Sequence, residues 1–220
     1  MSSLINPILS FETIKESLTK DINENLKKFK TPTPIQSVTW PPLMQGRDLV
    51  GIAKTGSGKT MAFGIPGLVH LQKKMEKSKS SRKKPRVLVL SPTRELAIQI
   101  EEQFILFGNS ASCSSVCIYG GIVLHKRVSL ISSSGVPKRP QQDKLRAGCD
   151  VIIATRKFYC QFPLETNQCI YIAGRLIDLF EENDQLCDLS KVSYLVLDEA
   201  DRMVIALFVM THLYLVGCWV

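Results

Sequence analysis

An apolar stretch that leads directly into a glycine-rich loop is the feature that most constrains the fold of this 220-residue chain. Residues 48–53 (DLVGIA) have the length and the composition of a buried strand, and the loop AKTGSGKT begins at Ala53. Gly56 and Gly58 allow backbone N–H groups to turn inward around an anion, and the helix expected next adds the positive end of its dipole. The stretch therefore predicts a strand, a phosphate-binding loop and a helix, in that order.

The residues at the end of this loop indicate a bound triphosphate. The general pattern requires Gly, four residues and then Gly-Lys-Ser/Thr; Gly58, Lys59 and Thr60 match it, whereas Ala53 stands at the first glycine position. We expect Lys59 to contact the β- and γ-phosphates and the Thr60 hydroxyl to bind Mg²⁺. The sequence thus predicts a magnesium–nucleotide site.

An acidic pair supplies the expected partner of the loop. Asp198 and Glu199 follow the apolar run YLVL. At the end of a buried strand, Asp198 would hold Mg²⁺, directly or through water, and Glu199 would orient or deprotonate an attacking water. The pair is a weak signal alone, and it becomes specific beside the phosphate loop.

Apolar and amphipathic segments alternate along the rest of the chain. A helix is predicted over TRELAIQIEEQFILFG, where Leu96, Ile100, Phe104 and Phe107 share one face and Gly108 ends the helix. Residues 137–148 form a shorter helical pattern with a similar glycine stop. Strand-like apolar runs lie at 86–90, 114–119, 150–154 and 194–198. The alternation predicts an α/β fold with a mostly parallel sheet flanked by helices.

The composition favours an anionic partner inside the cell. The net charge is +8, which favours nucleic acid first and an anionic membrane surface second. The basic run 73–86 is predicted to be a solvated loop, with nuclear targeting or RNA contact as alternatives. Seven cysteines without a C-x-x-C pair indicate reduced thiols of a cytosolic or nuclear protein, and the first residues carry no secretory signal pattern.

Five motifs in one order give the chain a family resemblance. TPTPIQ, AKTGSGKT, PTRELA, YGG and DEAD resemble the DEAD-box RNA helicases from about Phe11 to Met203, and Ala53 is the form that this family uses. The resemblance implies a RecA-like P-loop domain over residues 29–203 and a flank over residues 1–28 that carries Phe11. It also implies ATP and Mg²⁺ as cofactors and RNA as partner.

The resemblance assigns roles to individual residues. Phe29 would pack on the adenine, Gln36 would hydrogen-bond its edge, and Phe11 would brace this motif. Asp201 would link hydrolysis to closure against a second domain. The implied nucleotide contacts are Phe29, Thr31, Gln36, Thr55, Gly56, Ser57, Gly58, Lys59 and Thr60. The implied RNA contacts are Pro92, Thr93, Arg94, Gly120, Gly121, Thr155, Gly174 and Arg175.

Three segments depart from the family pattern. Residues 122–135 follow the YGG motif, residues 156–173 interrupt a Thr-Pro-Gly-Arg motif after Thr155, and the apolar residues 204–220 follow Met203. We interpret them as translated introns, with insertions into surface loops as the alternative. The apolar tail is close to the length of a membrane span. Its interpretation as a non-family tail predicts no membrane association.

The sequence also predicts what this chain does alone. A Ser-Ala-Thr motif and a second RecA-like domain are expected after DEAD and are missing, which predicts an exposed sheet edge, weak nucleotide binding, little hydrolysis and no unwinding. A non-catalytic ATP- and RNA-binding fragment, or a P-loop ATPase that acts on DNA or protein, remains an alternative. The motif wording resembles that of nucleolar ribosome-assembly members, which favours the nucleus or nucleolus over the cytoplasm.

Overall fold

A six-stranded sheet in which every neighbouring pair is parallel forms the centre of the chain in a computed structural model. Its strand order is β1-β8-β7-β2-β4-β3, and β5 and β6 form a separate antiparallel pair. The structure describes residues 6–75, 84–108, 113–120, 138–155, 157–159, 170–172, 188–200 and 217–219. The strands are β1 Leu49–Val50, β2 Val87–Ser91, β3 Ser115–Ile118, β4 Val151–Thr155, β5 Lys157–Tyr159, β6 Ile170–Ile172, β7 Tyr194–Leu197 and β8 Gly217–Trp219.

The apolar runs of the sequence are strands of this sheet, as predicted. β2, β3, β4 and β7 fall within a residue or two of their predicted positions, and β1 is shorter than its predicted range of 48–53. Alternate residues of one strand face two separate cores: Val87 and Val89 belong to one, and Leu88 to the other. Both faces of the sheet are therefore covered at β2, β3, β4 and β7, which explains why these strands are apolar throughout, whereas Val50 of β1 is exposed.

Five α-helices flank the sheet in the part of the chain that the structure describes. They are α1 Lys20–Leu26, α2 Pro34–Met44, α3 Lys59–Met75, α4 Arg94–Gly108 and α5 Lys138–Ala147, and 3₁₀-helices span Phe11–Ser17 and Leu189–Lys191. The amphipathic prediction for α4 is confirmed, because Ile100, Phe104 and Phe107 are buried and the helix ends at Gly108. Gly148 directly follows the last residue of α5 and has a φ of 85°, the conformation of a glycine that ends a helix.

Helix α3 is longer than the sequence suggests. It passes through Pro66 without a break and continues to Met75, so the first residues of the predicted basic loop are helical. Residues 76–83 of that loop lie outside the described residues. A proline within a helix removes one backbone hydrogen bond, and the burial of the α3 side chains Phe63, Ile65 and Leu68 offsets this loss.

The N-terminal flank belongs to the same hydrophobic core as the sheet. Ile14, Ile22 and Leu26 are buried in the cluster that also contains Val87 and Val89. Two hydrogen bonds fasten the flank to α2: the Ile8 N–H donates to the Ser37 carbonyl at 2.9 Å, and the Ser37 hydroxyl donates to the Ile8 carbonyl at 2.6 Å. The flank therefore helps to hold α2 in place.

Strand β8 lies inside the sheet, between β1 and β7, where the sequence predicted an exposed sheet edge. It pairs with β1 on one side, where Leu49 faces Cys218, and with β7 on the other, where Val196 also faces Cys218. Residues 217–219 of the predicted non-family tail thus contribute an interior strand, and β1 joins the rest of the sheet through them.

The other two departures from the family pattern are described only in part. Within residues 156–173, β5 and β6 form their own antiparallel pair, which is separate from the main sheet. The segment 122–135 lies outside the described residues. Their interpretation as translated introns stays a hypothesis.

The described part of the chain includes cysteine thiols and helices with apolar faces. Cys113, Cys117 and Cys149 are thiols there, and burial raises the pKa of the Cys117 thiol to about 12. Within the same residues, none of the helices combines the length and the apolar character that a membrane crossing requires.

We expect the contact between α3 and α4 to carry much of the stability. Phe104 is 2% exposed, whereas the next residue, Ile105, is 50% exposed. Phe104→Ala should lower the free energy of unfolding by about 3–5 kcal/mol, because it leaves a cavity in the core. Ile105→Ala, the matched control, should lower it by less than about 1 kcal/mol. Urea titrations followed by circular dichroism test this, and equal losses in the two variants would contradict the proposed packing.

Candidate functional site

The candidate residues meet at one edge of the sheet because all its strands are parallel. The phosphate loop follows β1, Asp198 follows β7, Thr93 lies just beyond β2, Thr155 ends β4 and Gly120 lies beyond β3. Parallel strands end at the same edge, which is where ligands of open α/β sheets bind. The strand order places the candidate nucleotide residues on one half of this edge and the candidate RNA residues on the other.

The loop between β1 and α3 has the backbone geometry of an anion cradle. Gly56 and Gly58 have φ angles of 77° and 88°, which side chains disfavour, and Lys59 is the first residue of the 17-residue helix α3. The Ser57 hydroxyl is buried and has no hydrogen-bond partner within the described structure. These features fit a phosphate group, which would accept hydrogen bonds from the loop and from the helix N-terminus.

Gln36 connects the phosphate loop to the start of α2. Its side chain is 2% exposed; Nε2 donates to the Gly58 carbonyl at 3.2 Å, and Oε1 accepts from the Thr33 N–H at 3.0 Å. A Cβ on Gly58 would lie 2.5 Å from Nε2. An amide group has two donors and two acceptor lone pairs, so one of each stays available for a base. The predicted adenine contact remains a prediction, and the contact with the loop is an additional role.

Aromatic side chains lie around this motif. Phe29 is 43% exposed and Thr31 is exposed, so both are accessible to a ligand. Phe11 contacts the buried Trp40, with ring centroids 5.8 Å apart. Trp40 in turn donates from Nε1 to the Met61 carbonyl of α3 at 3.3 Å. Phe11 is thus connected through Trp40 to the helix that follows the phosphate loop, and its bracing of the adenine motif remains a prediction.

The acidic pair lies in a setting that favours a cation. Asp198 is 3% exposed, and burial raises the pKa of its carboxyl group to about 6, although the charge of Lys59 opposes the shift and that of Glu199 adds to it. A divalent cation beside Asp198 would stabilise the buried carboxylate. Glu199 has a φ of 52°, a strained conformation for a residue other than glycine. Such strain is concentrated at functional sites.

The donor set around Asp198 fits Mg²⁺ bound together with phosphates. No cluster of three or more His, Cys, Asp or Glu side chains suited to a metal exists among the described residues. Asp198 and Thr60 together offer one carboxylate and one hydroxyl. Mg²⁺ keeps several waters and takes one or two carboxylates plus substrate phosphates, so a closed cage of protein ligands is not required.

The other half of the edge presents polar groups and exposed backbone. Arg94, the first residue of α4, is exposed, and its guanidinium carbon lies 4.5 Å from the centroid of the Tyr119 ring. The Thr93 hydroxyl accepts a hydrogen bond from the Leu96 N–H at 3.2 Å and so caps α4. Thr155 is buried at the end of β4, and Gly120 is exposed.

Four predicted residues lie outside the described part of the chain. They are Gly121, Gly174, Arg175 and Asp201. The structure also adds two residues that the sequence did not indicate, Tyr119 under Arg94 and Gln141 on α5. The position of Tyr119 directly before the glycine pair was the one available signal, and Gln141 gave none because it lies in a polar helix.

Comparison with known proteins places the chain among helicases. The family model described as DEAD/DEAH box helicase matches residues 33–209. The chain is 45% identical to DEAD-box ATP-dependent RNA helicase 5 of Arabidopsis thaliana over 197 residues. This match covers 88% of this chain and 30% of the relative. It is 41% identical over 199 residues to ATP-dependent RNA helicase DBP3 of Saccharomyces cerevisiae, and this match covers 90% of this chain and 30% of that relative. The chain thus spans under a third of the length of these relatives.

The two loop glycines should respond differently to alanine. At Gly56 the added Cβ meets open space, and only the positive φ costs free energy, about 1–2 kcal/mol. At Gly58 the added Cβ also displaces Gln36, so the loss should exceed that of Gly56→Ala by about 1 kcal/mol or more. Urea unfolding in the absence of nucleotide measures both variants. Equal losses would show that Gln36 and the loop are not coupled.

Proposed function

Because the chain belongs to the DEAD/DEAH box helicase family, we propose that it binds ATP with Mg²⁺ and also RNA, as part of an ATP-dependent RNA helicase. The observation that carries the proposal is the arrangement at the carboxyl edge of the sheet. The glycine-rich loop that ends at Lys59 and the buried Asp198 lie on one half of this edge, and Arg94 lies exposed on the other. ATP hydrolysis and duplex unwinding are proposed for a protein of the relatives' length, and binding for these 220 residues.

The triphosphate is proposed to lie against the loop between β1 and α3. The Gly56 and Gly58 conformations would direct backbone N–H groups at the phosphates, Lys59 would neutralise charge on the β- and γ-phosphates, and the Thr60 hydroxyl and Asp198 would hold Mg²⁺. When bound, the ion would draw electron density from the phosphate oxygens. The Ser57 hydroxyl, which is buried without a partner in the described structure, would gain one.

Glu199 is proposed to orient, or to accept a proton from, the water that attacks the terminal phosphate. It directly follows Asp198, so both carboxylates belong to the same strand end. The positive φ of Glu199 supports this role, because strained backbone conformations are concentrated at functional sites. Phosphoryl transfer depends mainly on position and charge, and an arginine supplied in trans typically contributes about 10³–10⁵ in rate. We therefore expect slow or no hydrolysis by this chain alone.

The base is proposed to lie between Phe29 and Gln36. Phe29 offers an exposed ring for stacking, and the remaining donor and acceptor of the Gln36 amide match an adenine edge. Since Gln36 also donates to the Gly58 carbonyl, a base that binds here would act directly on the conformation of the phosphate loop.

RNA is proposed to bind across the ends of β2, β4 and β3. Thr93 and Arg94 are exposed at the start of α4, and Gly120 exposes backbone next to them. Contacts of this kind reach phosphates and 2′-hydroxyl groups rather than base edges, so binding would be largely independent of sequence. The net charge of +8 supports a nucleic-acid partner, and we propose the nucleus or nucleolus as the location of the protein.

The base preference of the site tests the role of Gln36. We expect the wild-type chain to bind fluorescent ATP analogues more tightly than the GTP analogue by about tenfold or more, and Gln36→Ala to reduce this ratio to near one. Val38→Ala, on the exposed face of the same helix, should keep the ratio. If Gln36→Ala kept the wild-type preference for ATP, the proposed base contact would be wrong.

Charge removal at Arg94 tests the RNA half of the site. Arg94→Ala should weaken the binding of single-stranded RNA by about three- to tenfold and reduce its salt slope by about one, because a phosphate contact is lost. Lys191→Ala is a matched loss of one positive charge at an exposed position just before β7, at the opposite edge of the sheet, and should change the affinity by less than about twofold. Fluorescence anisotropy measures both. Tighter binding of duplex DNA than of RNA would favour a DNA-directed ATPase instead.

A further inference from the structure

Arg94 lies against the aromatic ring of Tyr119, a residue to which neither the sequence nor the proposed function assigns a role. Its guanidinium carbon lies 4.5 Å from the centroid of the Tyr119 ring, within the range of a cation–π contact. Arg94 begins α4, whereas Tyr119 follows the last residue of β3, so the contact joins two elements that both border the proposed RNA surface.

Hydrogen bonds anchor the backbone that carries this ring. Gln141 of α5 is 6% exposed, and its Nε2 donates to the Tyr119 carbonyl at 3.0 Å. A hydrogen bond also joins α4 to β3: the Cys117 N–H of β3 donates to the Glu101 carboxylate of α4 at 3.1 Å. Burial raises the pKa of Glu101, while the charge of Lys144 on α5 lowers it, which indicates that α5 also lies close to this bond. The backbone that carries the Tyr119 ring is therefore anchored to both α4 and α5.

A ring beneath a guanidinium group changes what the group can do. Arginine has many side-chain rotamers, and part of this freedom is lost when the side chain binds a fixed phosphate. A ring against one face restricts the side chain in advance and leaves the in-plane N–H donors accessible. The arginine would then lose less freedom on binding.

We propose that Tyr119 is a positioning residue for RNA: it holds the Arg94 guanidinium in the orientation that contacts the phosphate backbone, and Gln141 fixes Tyr119 in turn. The inference rests on the proposed RNA-binding function, since it takes an RNA phosphate as the ligand of Arg94. Tyr119 acts through Arg94 and needs no contact with RNA of its own.

The test uses the full 220-residue chain, a fluorescein-labelled decauridylate, and a non-hydrolysable ATP analogue with Mg²⁺. Tyr119→Leu should weaken RNA binding by about three- to tenfold. Tyr119→Phe keeps the ring and should bind within about twofold of wild type. Because the phosphate contact persists, the salt slope of Tyr119→Leu should stay at the wild-type value, whereas that of Arg94→Ala should fall by about one.

A double-variant cycle separates positioning from other effects. In the Arg94→Ala background, Tyr119→Leu should have no further effect on RNA affinity. An additional loss there would mean that the ring contacts RNA directly or supports the fold, and it would overturn the proposal. Urea midpoints of all variants are measured alongside. Should Tyr119→Leu fail to fold, Gln141→Met, which removes the donor to the Tyr119 carbonyl, should weaken binding about two- to threefold, and only when Arg94 is present.

The failure of this inference can be distinguished from that of the proposed function. If Arg94→Ala leaves RNA binding unchanged, the proposed RNA surface is wrong, and the positioning role is wrong with it. If Arg94→Ala weakens binding while Tyr119→Leu leaves it unchanged or strengthens it, the RNA surface stands and the positioning role is overturned. The Arg94 Hε proton resonance gives a second measure, since the ring should shift it upfield in wild type and Tyr119→Phe but not in Tyr119→Leu.

Discussion

The parallel pairing of the main sheet is the constraint on which the rest of the structure depends. Each strand from β1 to β8 in the order β1-β8-β7-β2-β4-β3 points the same way, so loops that are far apart in sequence meet at one edge. Parallel strands require coverage on both faces, which the two cores on either side of β2 provide. The phosphate loop after β1 and Thr93 after β2 are therefore held by strands of one sheet, although they lie far apart in sequence.

Hydrogen bonds at this edge make the candidate site one connected unit rather than a set of separate motifs. Gln36 joins the start of α2 to the phosphate loop, and Trp40 joins α2 to the helix that follows that loop. The charge of Lys59 at the end of that loop also acts on the buried Asp198, because it lowers the pKa of this carboxyl group against the effect of burial. A displacement of the phosphate loop would thus act directly on α2, because Gln36 and Trp40 bond the loop and the helix that follows it.

The sequence predicted local features well and tertiary partners poorly. The α4 stripe, the strand positions and the glycine stop at Gly148 follow from periodicity and from glycine chemistry, both of which act over a few residues. The position of β8 between β1 and β7 was not predicted, because an apolar tail has no signal that specifies which strand it will join. The Gln141–Tyr119 bond was missed for the same reason: the two residues lie 22 positions apart.

The sequence by itself determined the fold class, the order of the strands β1, β2, β3, β4 and β7 with the helices α3, α4 and α5, and the residue types of a nucleotide site. Each of these depends on local pattern and on the chemistry of short motifs. Only the tertiary structure decided which groups touch. It showed Gln36 bonded to the phosphate loop, burial that raises the pKa of Asp198 to about 6, and Arg94 supported by Tyr119. Burial, pKa and contact depend on the neighbours that folding brings from distant parts of the chain, and no local pattern contains that information.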